Sequence, residues 1–140
     1  MKKSLLLSFA LLIIIGSLLT ACAGTASASL DGNWTLISYG SSSNPTPAVA
    51  DTDASLTFGK DGQLSGNVGC NGFGGEYKVD GNAITFGPIM STMMYCTEPI
   101  MQQEGTTLAV LVETVTFKLD GDQLTITSAD GNSVLVLVRK

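Results

Sequence analysis

From residue 30 onward, apolar residues recur at alternate positions in short runs, and polar, glycine-bearing turns cut one run from the next. The runs are NWTLISY (33–39), ASLTF (54–58), QLSGNV (63–68), GEYKV (75–79), AITF (83–86), TVTFKL (114–119), QLTITS (123–128) and SVLVLVR (133–139). A period of two places one set of side chains on a buried face and the other in water, which is the signature of antiparallel strands. Five Asp-Gly dipeptides, beginning at Asp31, Asp61, Asp80, Asp120 and Asp130, punctuate this pattern, and four of them separate consecutive runs. Asp-Gly tolerates the positive φ of tight hairpin turns. The pattern predicts a mostly β domain with one helix (α+β): about eight antiparallel strands forming a small barrel or a strongly bent sheet.

A weak repeat supports this reading, because YKVDGNAITF (77–86) aligns with FKLDGDQLTI (117–126) in the order expected of a repeated hairpin. Between the copies the period changes. In TEPIMQQEGTTLAVLVET, Ile100, Glu104, Leu108 and Leu111 fall at helical spacing, with Thr97 as N-cap and Pro99 in the first turn. The prediction is a helix over roughly 98–112, weakened by Gly105 and the Thr106-Thr107 pair and therefore dependent on docking to the sheet. The polar stretch GSSSNPTPAVADTD (40–53) reads as a mobile surface loop.

The first thirty residues follow a different rule. Lys2 and Lys3 precede an apolar run from Leu5 to Ile15, and Leu19-Thr20-Ala21-Cys22 follows. Charged, apolar and small-residue zones in that order form a secretory signal, and LTAC resembles the bacterial lipobox. The alternative is an uncleaved transmembrane anchor. The lipobox reading expects cleavage between Ala21 and Cys22, removal of 1–21, lipid on Cys22, and a flexible tether over 22–29. Several acyl chains would anchor the protein stably, where one binds only marginally. Ala23 after the cysteine, rather than aspartate, points to the outer membrane of a cell that has two.

Charge and cysteine content narrow the chemistry further. Cleavage would remove Lys2 and Lys3 from seven basic residues and none of the twelve acids, leaving a net charge of −7 over 119 residues. No basic stripe exists to hold a nucleic acid. The chain has no histidine, which takes away the usual base for a cysteine or serine nucleophile. With Cys22 lipidated, Cys70 and Cys96 form an even pair in an oxidising space, so a disulfide is expected; two buried free thiols are the alternative. Two cysteines without histidine match no common zinc spacing, and no cofactor or metal is expected. Met90, Met93, Met94 and Met101 surround Cys96. They could make a soft copper site or a flexible apolar groove, but adaptable core filling is the expectation.

The least ordinary stretch is GNVGCNGFGGEY (66–77), with five glycines about one cysteine. A phosphate loop would need a lysine and a helix after the glycines, and Glu76-Tyr77 within a strand follows instead. Bends and close backbone approaches account for Gly66, Gly69, Gly72, Gly74 and Gly75, an Asx-turn for Asn71, and sheet-face or core packing for Phe73 and Tyr77. Trp34 is expected to plug one end of the core.

Taken in order, LDGNWTLISY, the Gly66–Tyr77 stretch, the Thr92–Cys96 element, a helix bearing Glu104, and FKLDGDQLTI resemble the META domain, the family of HslJ-like proteins, over about residues 30–140. The residues that carry the resemblance are Gly66, Gly69, Cys70, Asn71, Phe73, Gly75, Tyr77, Thr92, Met94 and Cys96. The chain departs from the family pattern at MMYC and at Gly105-Thr106-Thr107. The resemblance implies a small barrel-like fold with an associated helix, no established enzyme activity, and a link to envelope stress, secretion or motility. The combined expectation is a lipid-anchored, extracytoplasmic, non-enzymatic module that binds the membrane through Cys22. Its further partner would be an envelope protein or, alternatively, a small apolar ligand or lipid carried inside the barrel.

Overall fold

The computed structural model describes residues 29–140. The expected signal over 1–21, the Ala21/Cys22 cleavage site and lipidated Cys22 lie outside the described residues. Ten strands and one helix follow: β1 (Gly32–Ser41), β2 (Thr46–Pro47), β3 (Ser55–Phe58), β4 (Gln63–Asn67), β5 (Gly72–Asp80), β6 (Ala83–Phe86), β7 (Met90–Ser91), α1 (Ile100–Val110), β8 (Thr114–Asp120), β9 (Gln123–Thr127) and β10 (Ser133–Arg139). Eight of the strands pair in the order β10-β9-β8-β6-β5-β4-β3-β1, and β1 pairs again with β10, so the antiparallel sheet closes into a barrel. The eight sequence runs are these eight strands. Closure removes the unpaired edges that would otherwise recruit other chains. No helix among the described residues is long and apolar enough to cross a membrane.

The repeat is a pair of hairpins lying side by side. Asp80 pairs with Ala83 and Asp120 with Gln123, and β6 pairs with β8. The turns are therefore Gly81-Asn82 and Gly121-Asp122, one residue later than an Asp-Gly turn, with the glycines at φ 58° and 59°. Each aspartate closes its strand while glycine takes the first central position, as a II′ turn requires.

The alternating positions fill the barrel from inside. Trp34, Leu56, Phe58, Leu64, Ile84, Leu124, Ile126, Leu135 and Leu137 are almost wholly buried. Burial of such side chains contributes roughly 1.5–3 kcal/mol each. The glycines of β4 and β5 make room for this packing. Gly66 pairs with Phe73 across the strands, and a Cβ on Gly66 would lie 2.6 Å from the Phe73 ring and 2.5 Å from the Ser55 carbonyl oxygen. The ring occupies the space that a side chain would need.

The barrel has two unlike ends. At one lie the β3–β4, β5–β6 and β8–β9 turns, the C terminus and the entering chain. Trp34 closes this end as expected, its Nε1 donating to the Leu30 carbonyl at 2.7 Å while the Arg139 guanidinium sits 4.2 Å above its ring. Arg139 also donates to the carbonyls of Ser29 and Asp31. Nearby, Tyr77 stands edge-on to Phe58 and donates its hydroxyl to the Gly59 carbonyl at 2.8 Å. The other end is closed by α1 and by the 42–54 segment. That segment is not the free loop its polarity suggests: β2 pairs with β1, Ala48 packs on the core, and the Val49 amide bonds to Gln103.

Two expectations follow. Gly66→Ala forces Phe73 or Ser55 aside and should cost about 1–3 kcal/mol in urea denaturation, without changing the fold. Burial, then the neighbouring Asp31, pushes the Tyr77 hydroxyl up to about 12 from 10. The folded state therefore favours the neutral phenol. That contribution is complete below pH 10 and is lost as pH rises toward 12. Tyr77→Phe should flatten the alkaline limb of a stability-versus-pH curve over that window.

Candidate functional site

The glycine-rich stretch brings its cysteine and asparagine to the helix-capped end. After β4 the chain turns through Asn67, whose Oδ1 accepts the Gly69 amide at 2.8 Å. The local Asx-turn therefore belongs to Asn67, not to Asn71. Gly69 follows at φ 125°, and a Cβ there would meet Ile100 at 3.0 Å, so helix and loop come together over a bare backbone. Cys70 is buried and joined to Cys96. The bridge spans 26 residues, and in the chain-entropy picture such a loop closure stabilises by about 3.5 kcal/mol.

Asn71, 3% exposed, uses its side chain at long range. Its Nδ2 donates to Glu104 Oε1 at 2.7 Å and to the Met94 carbonyl at 3.1 Å, while its backbone amide donates to Glu104 Oε2 at 2.6 Å. Its Oδ1 accepts from the Met94 amide at 2.7 Å and the Thr92 hydroxyl at 2.8 Å. One amide thus pairs with both backbone groups of Met94, as a neighbouring strand would, and ties that segment to α1. Every polar group of the Asn71 side chain is satisfied, which is the condition for burying it without loss.

Helix α1 docks by its polar side. Gln103, Glu104, Thr107 and Val110 are its buried residues. The expected stripe of Ile100, Glu104, Leu108 and Leu111 is corrected, because Ile100 and Leu108 are only half-buried. Gln103 accepts the Val49 amide at 2.7 Å and donates to the Val68 carbonyl. Hydrogen bonds, more than an apolar stripe, set the helix in place. Thr97 is not its cap: the helix begins at Ile100, and the Glu98 carboxylate accepts the Gln102 amide at 3.1 Å. An acidic group there favours the positive end of the helix.

These restraints converge on residues 90–96. β7 pairs Met90 with Gly74 and Ser91 with Phe73, the Thr92 amide donates to the Gly72 carbonyl, Asn71 grips Thr92 and Met94, and the disulfide holds Cys96. Yet Met90 is 76%, Met93 97%, Met94 57% and Tyr95 86% exposed. The expectation that these methionines fill the core is corrected. Only Met101 turns inward, half-buried, its sulfur accepting the Cys96 amide at 3.4 Å. Beside the loop lies a cleft of about 300 Å³ lined by Asn71, Thr92, Met93, Met94, Tyr95 and Met101 among others. Among the described residues no group of three or more His, Cys, Asp or Glu could hold a metal ion.

The residues singled out in sequence thus divide. Cys70, Asn71, Thr92, Met94 and Cys96 meet in one cluster around Glu104, and Gly69 admits the helix beside it. Gly66, Phe73, Gly75 and Tyr77 serve the barrel wall. Sequence reasoning missed the pairing of Asn71 with Glu104, although the presence of a lone acid inside the helical stripe was its signal. Asn71→Ala would leave Glu104 Oε1 and both backbone groups of Met94 without the partners they have here, while the backbone amide at position 71 would still serve Oε2. It should cost roughly 3 kcal/mol or more in urea denaturation and speed hydrogen exchange at the Met94 amide.

The sequence model of the META domain matches residues 27–140. Among solved structures, a protein from Burkholderia xenovorans determined by NMR is 23% identical, with a TM-score of 0.65 over 79% of this chain and 82% of that one. A second NMR structure is 25% identical, with a TM-score of 0.62 over 77% of this chain and 88% of that one. A DUF4847 family protein from Bacteroides vulgatus is 13% identical, with a TM-score of 0.56 over 79% of this chain and 93% of that one, and shares the fold. No curated protein is significantly similar.

Proposed function

The chain belongs to the META domain family, and from that premise we propose that it is a non-enzymatic binding or assembly module held at a cell membrane by lipid on Cys22. The observation that carries the binding role is the clamped Met-Met-Tyr loop. A disulfide, a buried carboxylate and a buried amide restrain apolar side chains that stand in water. Restraint of that kind lowers the ordering cost of association, and methionine and tyrosine are suited to forming contacts at protein surfaces.

The site has the chemistry of recognition. Histidine is absent from the chain, the two cysteines near the loop are bonded to each other, and the cleft offers no nucleophile paired with a base. The barrel interior is filled by Trp34, Phe58 and the leucines around them, which favours a partner on the outside over a ligand carried within. A role in envelope stress suits an extracytoplasmic module with a cross-linked loop. The lipobox at Leu19–Cys22 supports the anchor, and Ala23 supports the periplasmic face of the outer membrane in a two-membrane cell.

In its own cells, the protein should fractionate with membranes and carry a thioether-linked diacylglycerol on Cys22 by mass spectrometry, and Cys22→Ser should release it to the extracytoplasmic soluble fraction. A photo-crosslinking residue at position 93 should capture one defined envelope protein, whereas the same residue at position 118 on the opposite end should not. An unlipidated membrane fraction, or equal capture at both positions, contradicts the reading.

A further inference from the structure

The charges of the domain are sorted by end. Lys60 lies in the β3–β4 turn, Lys78 and Lys118 lie within two or three residues of the β5–β6 and β8–β9 turns, and Arg139 and Lys140 close β10. Every lysine and arginine among the described residues is therefore at the end where the chain enters, interleaved there with Asp31, Asp61, Glu76, Asp80, Asp120 and Asp122. The helix-capped end holds Asp51, Asp53, Glu98, Glu104, Glu113 and Asp130 and no cation.

Three acids of that end are linked to the exposed loop, Glu98 along the chain and Asp51 and Asp53 through the turn that leads into Cys70. Thr52, between Asp51 and Asp53, packs against Gly69, and the side chain of Gln103 spans from Thr52 to Val68. Glu98 follows Cys96 by two residues and accepts the Gln102 amide. Asp130 accepts hydrogen bonds from Ser128 and Asn132, which hold its carboxyl at about 2, so it stays ionised through the physiological range. Exposed Met93 and Tyr95 thus stand at an end that carries acids and, among the described residues, no cation. Without a local cation to offset it, that field repels anionic lipid and nucleic acid and attracts a positively charged surface.

We propose that the helix-capped end docks a cationic amphipathic polypeptide, whose apolar face meets Met93 and Tyr95 and whose lysines or arginines meet Asp51, Asp53 and Glu98. This rests on the reading of the clamped loop as a binding element and adds the chemistry of the partner. An apolar face alone would be taken by any greasy surface; the one-signed rim selects among them. The arrangement also fits the proposed anchor, because the described chain enters the barrel at the opposite end.

The test uses the protein purified from its own cells with two synthetic amphipathic peptides, one of lysine and leucine and one of glutamate and leucine in the same pattern, followed by fluorescence anisotropy. The lysine peptide should bind at least about tenfold more tightly than the glutamate peptide, and added salt should narrow the difference. Met93→Ser with Tyr95→Ser should weaken binding of the lysine peptide about tenfold or more. Both side chains are largely in water, so the fold should persist. Asp51→Asn, Asp53→Asn and Glu98→Gln together should weaken the lysine peptide alone. If the two peptides bind equally and the Met93/Tyr95 variant weakens both, the charge assignment is overturned while the loop remains a binding element. If that variant leaves binding unchanged, or neither peptide binds, both readings are overturned. Recruitment of Cys22→Ser protein to phosphatidylglycerol vesicles through Met93 and Tyr95 would overturn the proposal in favour of a bilayer.

Discussion

A single buried asparagine decides how the two parts of this domain fit together. The barrel could close without α1, since its eight strands satisfy one another around the ring. What fixes the helix and the 90–96 segment on one rim is the Asn71 side chain, which bonds Glu104 on one side and both backbone groups of Met94 on the other. A carboxylate 5% exposed, with no cation beside it among the described residues, is costly to bury. Two short hydrogen bonds from one residue are what offset that cost, so the pair is tolerated only as a unit.

The same economy explains the polar inner face of the helix. Amphipathic helices usually dock by an apolar stripe, and α1 has little of one. Gln103 instead reads backbone groups at Val49 and Val68, and so links the segment after β2 to the segment after β4. Such contacts are specific in direction where apolar contacts are not. The helix therefore sits in one register, and that register is inherited by the loop that Asn71 and the disulfide suspend beside it.

The strands were legible because their determinants are local: alternation, β-branched residues and glycine turns all act within a few positions. Eight runs became eight strands, and the likeness of 77–86 to 117–126 became two adjoining hairpins. The short strands β2 and β7 carry no alternation, being two residues each, and exist only because longer strands offer them partners. The disulfide followed from counting cysteines. Asn71 did not follow, because its partners at 92, 94 and 104 are non-local, and an asparagine beside glycines looks the same whether it turns its own backbone or grips a distant one. The methionines misled for a related reason: an apolar side chain signals burial unless something holds it outside, and here the β7 pairing, Asn71 and the disulfide do so together.

The chain enters and leaves the barrel at one place. Arg139, one residue from the C terminus, donates to the carbonyls of Ser29 and Asp31, and the Lys140 amide donates to Asn33. Topologically the domain is nearly a ring with its seam at the end where the chain enters. Anything appended after Lys140 would emerge beside the entering chain, and the helix-capped rim would stay clear. Conversely the seam could be joined and the ring opened at the β9–β10 turn, whose ends are already paired through Ser128 and Ser133; the same barrel would then present its termini beside the helix-capped rim, with the fold's wiring rearranged and its packing intact.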